Sequence, residues 1–147
     1  MRLPLFLIGI VCFGNPVFGG VAQDAFHRLV AGASSVSIER TRDHSVILSS
    51  STPKKIAQVV AAIDLVDPVV ERSKDGEEII VLTCFCVADY VVRFQTPGGE
   101  RQLFIKHRIG AVFGSENLGL GYDTDVKLSG RSARALKRLI RRAESSR

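Results

Sequence analysis

The stretch LTCFCVADYVVRFQTPGGERQLFIKH, Leu82 to His107, decides the fold because strand-forming segments flank the turn residues Thr96-Pro97-Gly98-Gly99. The β-branched and aromatic residues that favour strands continue on both sides of it. We therefore predict a long central hairpin with strands at about 78–95 and 101–113. Strands mixed with helices, without regular β-α-β alternation, indicate an α+β fold with an antiparallel sheet.

Two amphipathic helices are predicted to cover this sheet, at about 53–64 and 130–144. Thr52 and Ser129 are suitable N-caps, and Pro53 suits the first helical position. Apolar residues recur at helical spacing in both segments. Upstream, we predict a short helix capped by Asp24 and a hairpin in which Val46 and Leu48 share one face of their strand.

The register of the central hairpin follows from its two faces. A loop centred on Gly98-Gly99 places the apolar alternate residues of both strands on one face and pairs Asp89 with Arg108 across the other. In this register His107 lies opposite Tyr90, about 13 Å along the strand from Cys86. A turn at Pro97-Gly98 would instead bring His107 to about 7–8 Å from Cys86.

Cys84 and Cys86 have three interpretations. The favoured one is a pair of buried thiols on the core face, since free cysteine is among the most buried residue types. A disulfide between them would strain an extended strand, because residues two apart point their Cβ atoms in parallel. The third is thiol or metal chemistry with His107 as a further ligand. The C-x-C spacing alone lacks the second ligand pair of a zinc site, so no cofactor is expected.

The N-terminus has the layout of a secretory signal peptide: Arg2, an apolar run from Leu3 to Phe13, and small residues near position 20. We predict a signal peptide at 1–22 and a single domain at 23–147, with cleavage before Gln23 as first choice and after Gly19 as the alternative. The protein would then be periplasmic or secreted, with no transmembrane segment after cleavage.

Positive charge is concentrated in the final helix. The chain carries a net charge of +5, while residues 129–147 contain seven Lys or Arg and one Glu. A solvated helix face explains this pattern, and an electrostatic binding surface is the functional alternative. The candidate binding residues are Arg134, Lys137, Arg138, Arg141 and Arg142.

No catalytic motif occurs in the chain: G-x-S-x-G, H-E-x-x-H and phosphate-binding glycine loops are all missing. We therefore predict an exported, non-catalytic binding domain for an unknown protein or anionic surface. The alternatives are a thiol or metal module using the C-x-C pair, and a protein attached to the cell envelope through its basic C-terminal helix. Nucleic acid is disfavoured as a partner because of the export signal.

Overall fold

The computed structural model describes residues 20–67, 70–72, 74–76, 78–80, 87–106, 111–113 and 126–146. Helices and antiparallel strands are both present, which confirms the α+β class. In chain order the described elements are α1 (Val21–Val30), β1 (Ser35–Arg40), β2 (Ser45–Ser50), α2 (Pro53–Ala61), β3 (Leu65–Val66), β4 (Val70–Arg72), β5 (Glu78–Ile80), β6 (Tyr90–Thr96), β7 (Gly99–Lys106), β8 (Ala111–Phe113), β9 (Val126–Leu128) and α3 (Gly130–Ser145).

The main sheet has seven described strands in the order β2-β1-β6-β7-β8-β9-β3, and all of its pairings are antiparallel. Strands β4 and β5 form a separate two-stranded sheet. The predicted helices at 53–64 and 130–144 correspond to α2 and α3, although α2 already ends at Ala61.

The central hairpin is shorter than predicted on both sides. Residues 78–80 form β5, which pairs with β4 in the second sheet and is not continuous with β6. The segment predicted as one strand at 101–113 contains two strands, because Lys106 of β7 pairs with Ala111 of β8 and the chain reverses between them. Strand propensity is similar on both sides of this reversal and does not locate it. Gly110 is the sequence signal that could have located it.

The predicted register of the hairpin is wrong by two residues. Val92 pairs with Leu103 and Thr96 pairs with Gly99, so the turn lies at Pro97-Gly98. Proline fixes φ near −65° and suits the first turn position, and Gly99 follows with a φ of 101°. A positive φ directly after a turn is typical of a hairpin closed by a glycine bulge.

A shift of two residues preserves the faces of both strands, so the predicted core face survives the error. Val92, Phe94, Leu103 and Ile105 are all buried. The ring of Phe26 in α1 packs edge-on against Phe94, with ring centroids 6.1 Å apart. Buried residues of all three described helices join this single core.

The hairpin of β1 and β2 contains a bulge that the sequence pattern did not predict. Ile38 pairs with Leu48, and the next residue, Glu39, pairs with Val46, so Ile47 is the extra residue. Ile47 and Leu48 are therefore both buried, whereas Val46 is 42% exposed. The prediction that Val46 and Leu48 share one face of the strand is wrong, because a bulge interrupts the alternation of side chains.

Helix α1 begins at Val21, before the predicted cap at Asp24. Asp67, 46 residues after Val21 in the chain, supplies the acceptor for the first turn instead: its carboxylate accepts hydrogen bonds from the backbone amides of Val21 and Ala22. The cleavage point expected before Gln23 therefore falls within the first turn of a folded helix.

Candidate functional site

Helix α3 exposes a positively charged face to solvent and packs against the core through its other face. Ser129 caps the helix, with its side-chain oxygen accepting a hydrogen bond from the amide of Ser132 at 3.1 Å. Leu136 and Ile140 are buried against the core. All five predicted binding residues, Arg134, Lys137, Arg138, Arg141 and Arg142, are exposed.

The structure divides these five residues among different surfaces. Arg138 and Arg142 line a cleft between α3 and α2, while Lys137 lines a different, small cavity beside Tyr90. Arg134 and Arg141 line neither of these two cavities. The separation follows from the 100° turn per residue of an α-helix, which directs residues only one apart to different sides.

The α2–α3 cleft, named for the helices that form its walls, has a volume of about 470 Å³. Lys55 of α2 joins Arg138 and Arg142 at this cleft, and Leu48, Ala62 and Leu139 are among its apolar lining residues. A concave site with apolar lining and a few convergent polar groups is the usual form of a ligand site. The cleft is thus a candidate binding site with three positive charges.

Lys55 is the residue that sequence reasoning missed. It lies near the start of an ordinary amphipathic helix, 83 residues before Arg138, and nothing in its local sequence marks it as a binding residue. Only the packing of α2 beside α3 places the two cations at one cleft.

Buried hydrogen bonds hold the two walls of the cleft together. The hydroxyl of Ser132 donates to the carbonyl oxygen of Ala62 and accepts from the amide of Asp64 at 3.1 Å. The amide of Ser129 donates to the carbonyl oxygen of Asp64 at 2.9 Å. Because Ser132 is only 2% exposed, these bonds are shielded from competing water.

The cations of the cleft are not neutralised by described carboxylates. Among the residues that the structure describes, none of Lys55, Arg138 and Arg142 takes part in an ion pair. Glu144 is the acidic residue of α3, and it pairs with Arg40 of β1. The same guanidinium also binds Asp43 at 3.0 Å. The charge of the cleft is therefore available to an external anion.

The alternative site at Cys84, Cys86 and His107 lies outside the described residues. The observed pairing of β6 and β7 matches the register in which the sequence would bring His107 within reach of Cys86. Within the described ranges, no group of three His, Cys, Asp or Glu side chains could hold a metal ion. The thiol or metal hypothesis stays a prediction.

Comparison with protein-family models, curated proteins and solved structures gave no match to this chain. Across the described parts of the chain, every helix is too short or too polar to cross a membrane.

Proposed function

We propose that this chain is a small exported, non-catalytic binding domain that holds an acidic segment of a partner protein in the α2–α3 cleft. The observation that carries the proposal is the convergence of Lys55, Arg138 and Arg142 on one apolar-lined cleft, without a described carboxylate to neutralise them.

The chemistry of the cleft suits a carboxylate that stands next to an apolar side chain. Arg138 and Arg142 can each form paired, charge-assisted hydrogen bonds to a carboxylate, and Lys55 adds a third positive charge. Leu48, Ala62 and Leu139 offer apolar contact within the same space. A segment with an acidic residue beside an aliphatic one would use both features.

The concave shape favours a protein segment over a membrane surface. A flat lipid surface cannot reach apolar residues that lie between two helices, whereas a single side chain can enter a cleft of about 470 Å³. Export is supported by the signal-like pattern of Arg2 and the apolar run that follows it.

Attachment to an anionic envelope surface is the second candidate. Arg131, Arg134 and Arg141 are exposed and line neither described cavity of α3. They would contact a flat anionic surface without any contribution from Lys55. The two candidates therefore require different residues of the same region.

Two triple variants with equal loss of charge separate these functions. The cleft variant replaces Lys55, Arg138 and Arg142 with Gln, and the matched control, called the outer variant, replaces Arg131, Arg134 and Arg141 with Gln. Each is titrated with a short peptide of alternating glutamate and leucine, and with vesicles that contain phosphatidylglycerol. Both titrations are repeated at about 10 mM and about 150 mM salt, because screening distinguishes exposed from partly enclosed charges.

We expect the cleft variant to lose about tenfold or more in affinity for the peptide, since hydrogen bonds to charged groups contribute about 1.5–3 kcal/mol each. The outer variant should retain most of the peptide affinity. Vesicle binding that is lost only in the outer variant would favour the envelope candidate. Equal peptide binding by both variants and the unchanged protein would contradict the proposed cleft function.

A further inference from the structure

The carboxylate of Asp67 lies at the N-terminal end of α1. Its Oδ2 atom accepts a hydrogen bond from the amide of Val21 at 3.1 Å, and its Oδ1 atom accepts one from the amide of Ala22 at 2.8 Å. One carboxylate thus satisfies two of the amides that a helix N-terminus leaves without partners. Its negative charge also lies at the positive end of the helix dipole.

Gly20 packs directly against this carboxylate. A Cβ atom at Gly20 would lie 2.5 Å from Oδ2 of Asp67, so this close approach requires glycine. The backbone of Gly20 is extended, with φ −62° and ψ 165°, and the helix starts at the following residue. The backbone nitrogen of Gly20 is bonded, at about 1.46 Å, to the same Cα atom that would carry this Cβ, so it lies close to the carboxylate.

The residues just after Gly20 are integral to the fold. Ala22 is fully buried, and Gln23 is 8% exposed. The side-chain amide of Gln23 donates to the carbonyl oxygen of Ile63 at 3.0 Å, and its oxygen accepts from the amide of Leu65 at 2.6 Å. A chain that began at Gln23 would lose buried Ala22 and both hydrogen bonds to Asp67. It would also place a positive terminus inside the first turn of the helix, which the helix dipole disfavours.

We infer that the signal peptide is removed by cleavage between Gly19 and Gly20, and that the new terminal ammonium of Gly20 pairs with the carboxylate of Asp67. This inference rests on the proposed export of the protein. Hydrolysis of the Gly19–Gly20 peptide bond leaves a carboxylate on Gly19 and an ammonium on Gly20. Gly19 at the cleavage site and Val17 two residues before it are small enough for a signal peptidase site. Cleavage there keeps every described residue that Asp67 and the core use.

The position of cleavage is measured by the intact mass and N-terminal sequence of the protein exported from the full-length chain. A mature N-terminus at Gly20 supports the inference. A mature N-terminus at Gln23 overturns it but leaves export intact, whereas retention of Met1 in intracellular protein contradicts export as well. Gly19→Leu adds a second test, because a bulky residue before the cleaved bond should block processing at Gly20 and leave a site before Gln23 unaffected.

The ammonium–carboxylate pair is tested on the exported mature protein. Asp67→Asn should lower the thermal midpoint by about 3–5 °C, as expected for loss of a helix cap with its charge. Asp64→Asn is the matched control, because Asp64 is exposed and its carboxylate forms no ion pair with a described residue. Selective acetylation of the α-amino group should lower the midpoint of the unchanged protein more than that of Asp67→Asn. An equal effect of acetylation on both proteins would overturn the pairing.

Discussion

Gly99 is the residue that determines how the central hairpin closes. It follows the Pro97-Gly98 turn with a φ of 101°, which L-residues with a side chain rarely adopt, and it pairs with Thr96. The hydroxyl of Thr96 donates to the carbonyl oxygen of Gly99 at 2.8 Å. The sequence reveals a glycine-rich turn here, but which glycine takes the positive φ decides the register.

Replacement of Gly99 with Ala should therefore destabilise the protein by about 1–3 kcal/mol, through backbone strain at the positive φ. Gly98→Ala is the matched control. An added Cβ at Gly98 meets the end of the Arg101 side chain at 2.9 Å, and that side chain can move aside. Urea unfolding should give a lower midpoint for Gly99→Ala than for Gly98→Ala, and the opposite order would show that the assigned turn is wrong.

At the scale of elements, the packing of α3 against the end of α2 creates the candidate site. The joint depends on Ser132, whose hydroxyl connects to the backbone of Ala62 and Asp64. Nothing in the sequence indicates that Ser132 is buried, because a serine at an exposed helix position would fit the same amphipathic pattern. Its importance comes from its burial at 2% exposure.

Ser132→Ala should cost about 1–3 kcal/mol, because it leaves backbone groups of Ala62 and Asp64 without their partner in a buried environment. Ser145→Ala provides a control: the hydroxyl of Ser145 also bonds to a backbone carbonyl, that of Arg141, but it is exposed. Denaturant unfolding should show a clear loss for the first variant and less than about 0.5 kcal/mol for the second. A similar small effect in both would contradict the role of Ser132 as the buried joint.

At the scale of the whole molecule, the charged side chains of two regions differ in whether they form ion pairs. Carboxylates of the β1–β2 hairpin form ion pairs: Glu39 binds His44 and Arg93, and Asp43 binds Arg40, which also binds Glu144 of α3. The hydrogen bond from His44 is the main cause that lowers the pKa of Glu39. The cations of the α2–α3 cleft have no such partner among the described residues. The fold thus combines a neutralised hairpin with a positive cleft.

Acid should weaken the hairpin in a defined pH window. Hydrogen bonds from the hydroxyl and amide of Ser45 lower the pKa of Asp43 from 3.8 to about 2, with a further contribution from Arg40. Because the folded pKa is depressed, this stabilisation is fully present above pH 3.8 and is lost as the pH falls through about 2. The effect should be small, since the Asp43 side chain is 43% exposed to solvent.

The measurement is the urea midpoint of the protein and of Asp43→Asn between about pH 5 and pH 2. The unchanged protein should be the more stable of the two at pH 5, and the difference should disappear towards pH 2. Asp64→Asn serves as the control for removal of a carboxylate that forms no ion pair with a described residue. A difference for Asp43→Asn that grows on acidification would contradict the assigned hydrogen bonds.

Much of the architecture was predictable because it depends on local chemistry. Thr52 and Ser129 are the N-cap residues of α2 and α3, as predicted, although only Ser129 makes a side-chain capping hydrogen bond. The alternation in β6 and β7 correctly placed Val92 and Leu103 on the core face. The exact pairing of residues between β6 and β7 was harder to predict, because registers two residues apart bury the same face and differ only in turn geometry.

The sequence by itself determined the α+β class, the helices α2 and α3 and the concentration of positive charge in the last helix, since each follows from residue type and spacing along a continuous segment. Only the tertiary structure decided that β5 and β8 leave the predicted hairpin strands and that Asp67 caps α1. It alone placed Lys55 beside Arg138 and Arg142 at one cleft. These features join residues far apart in the chain, and no local pattern records which distant surfaces will pack together.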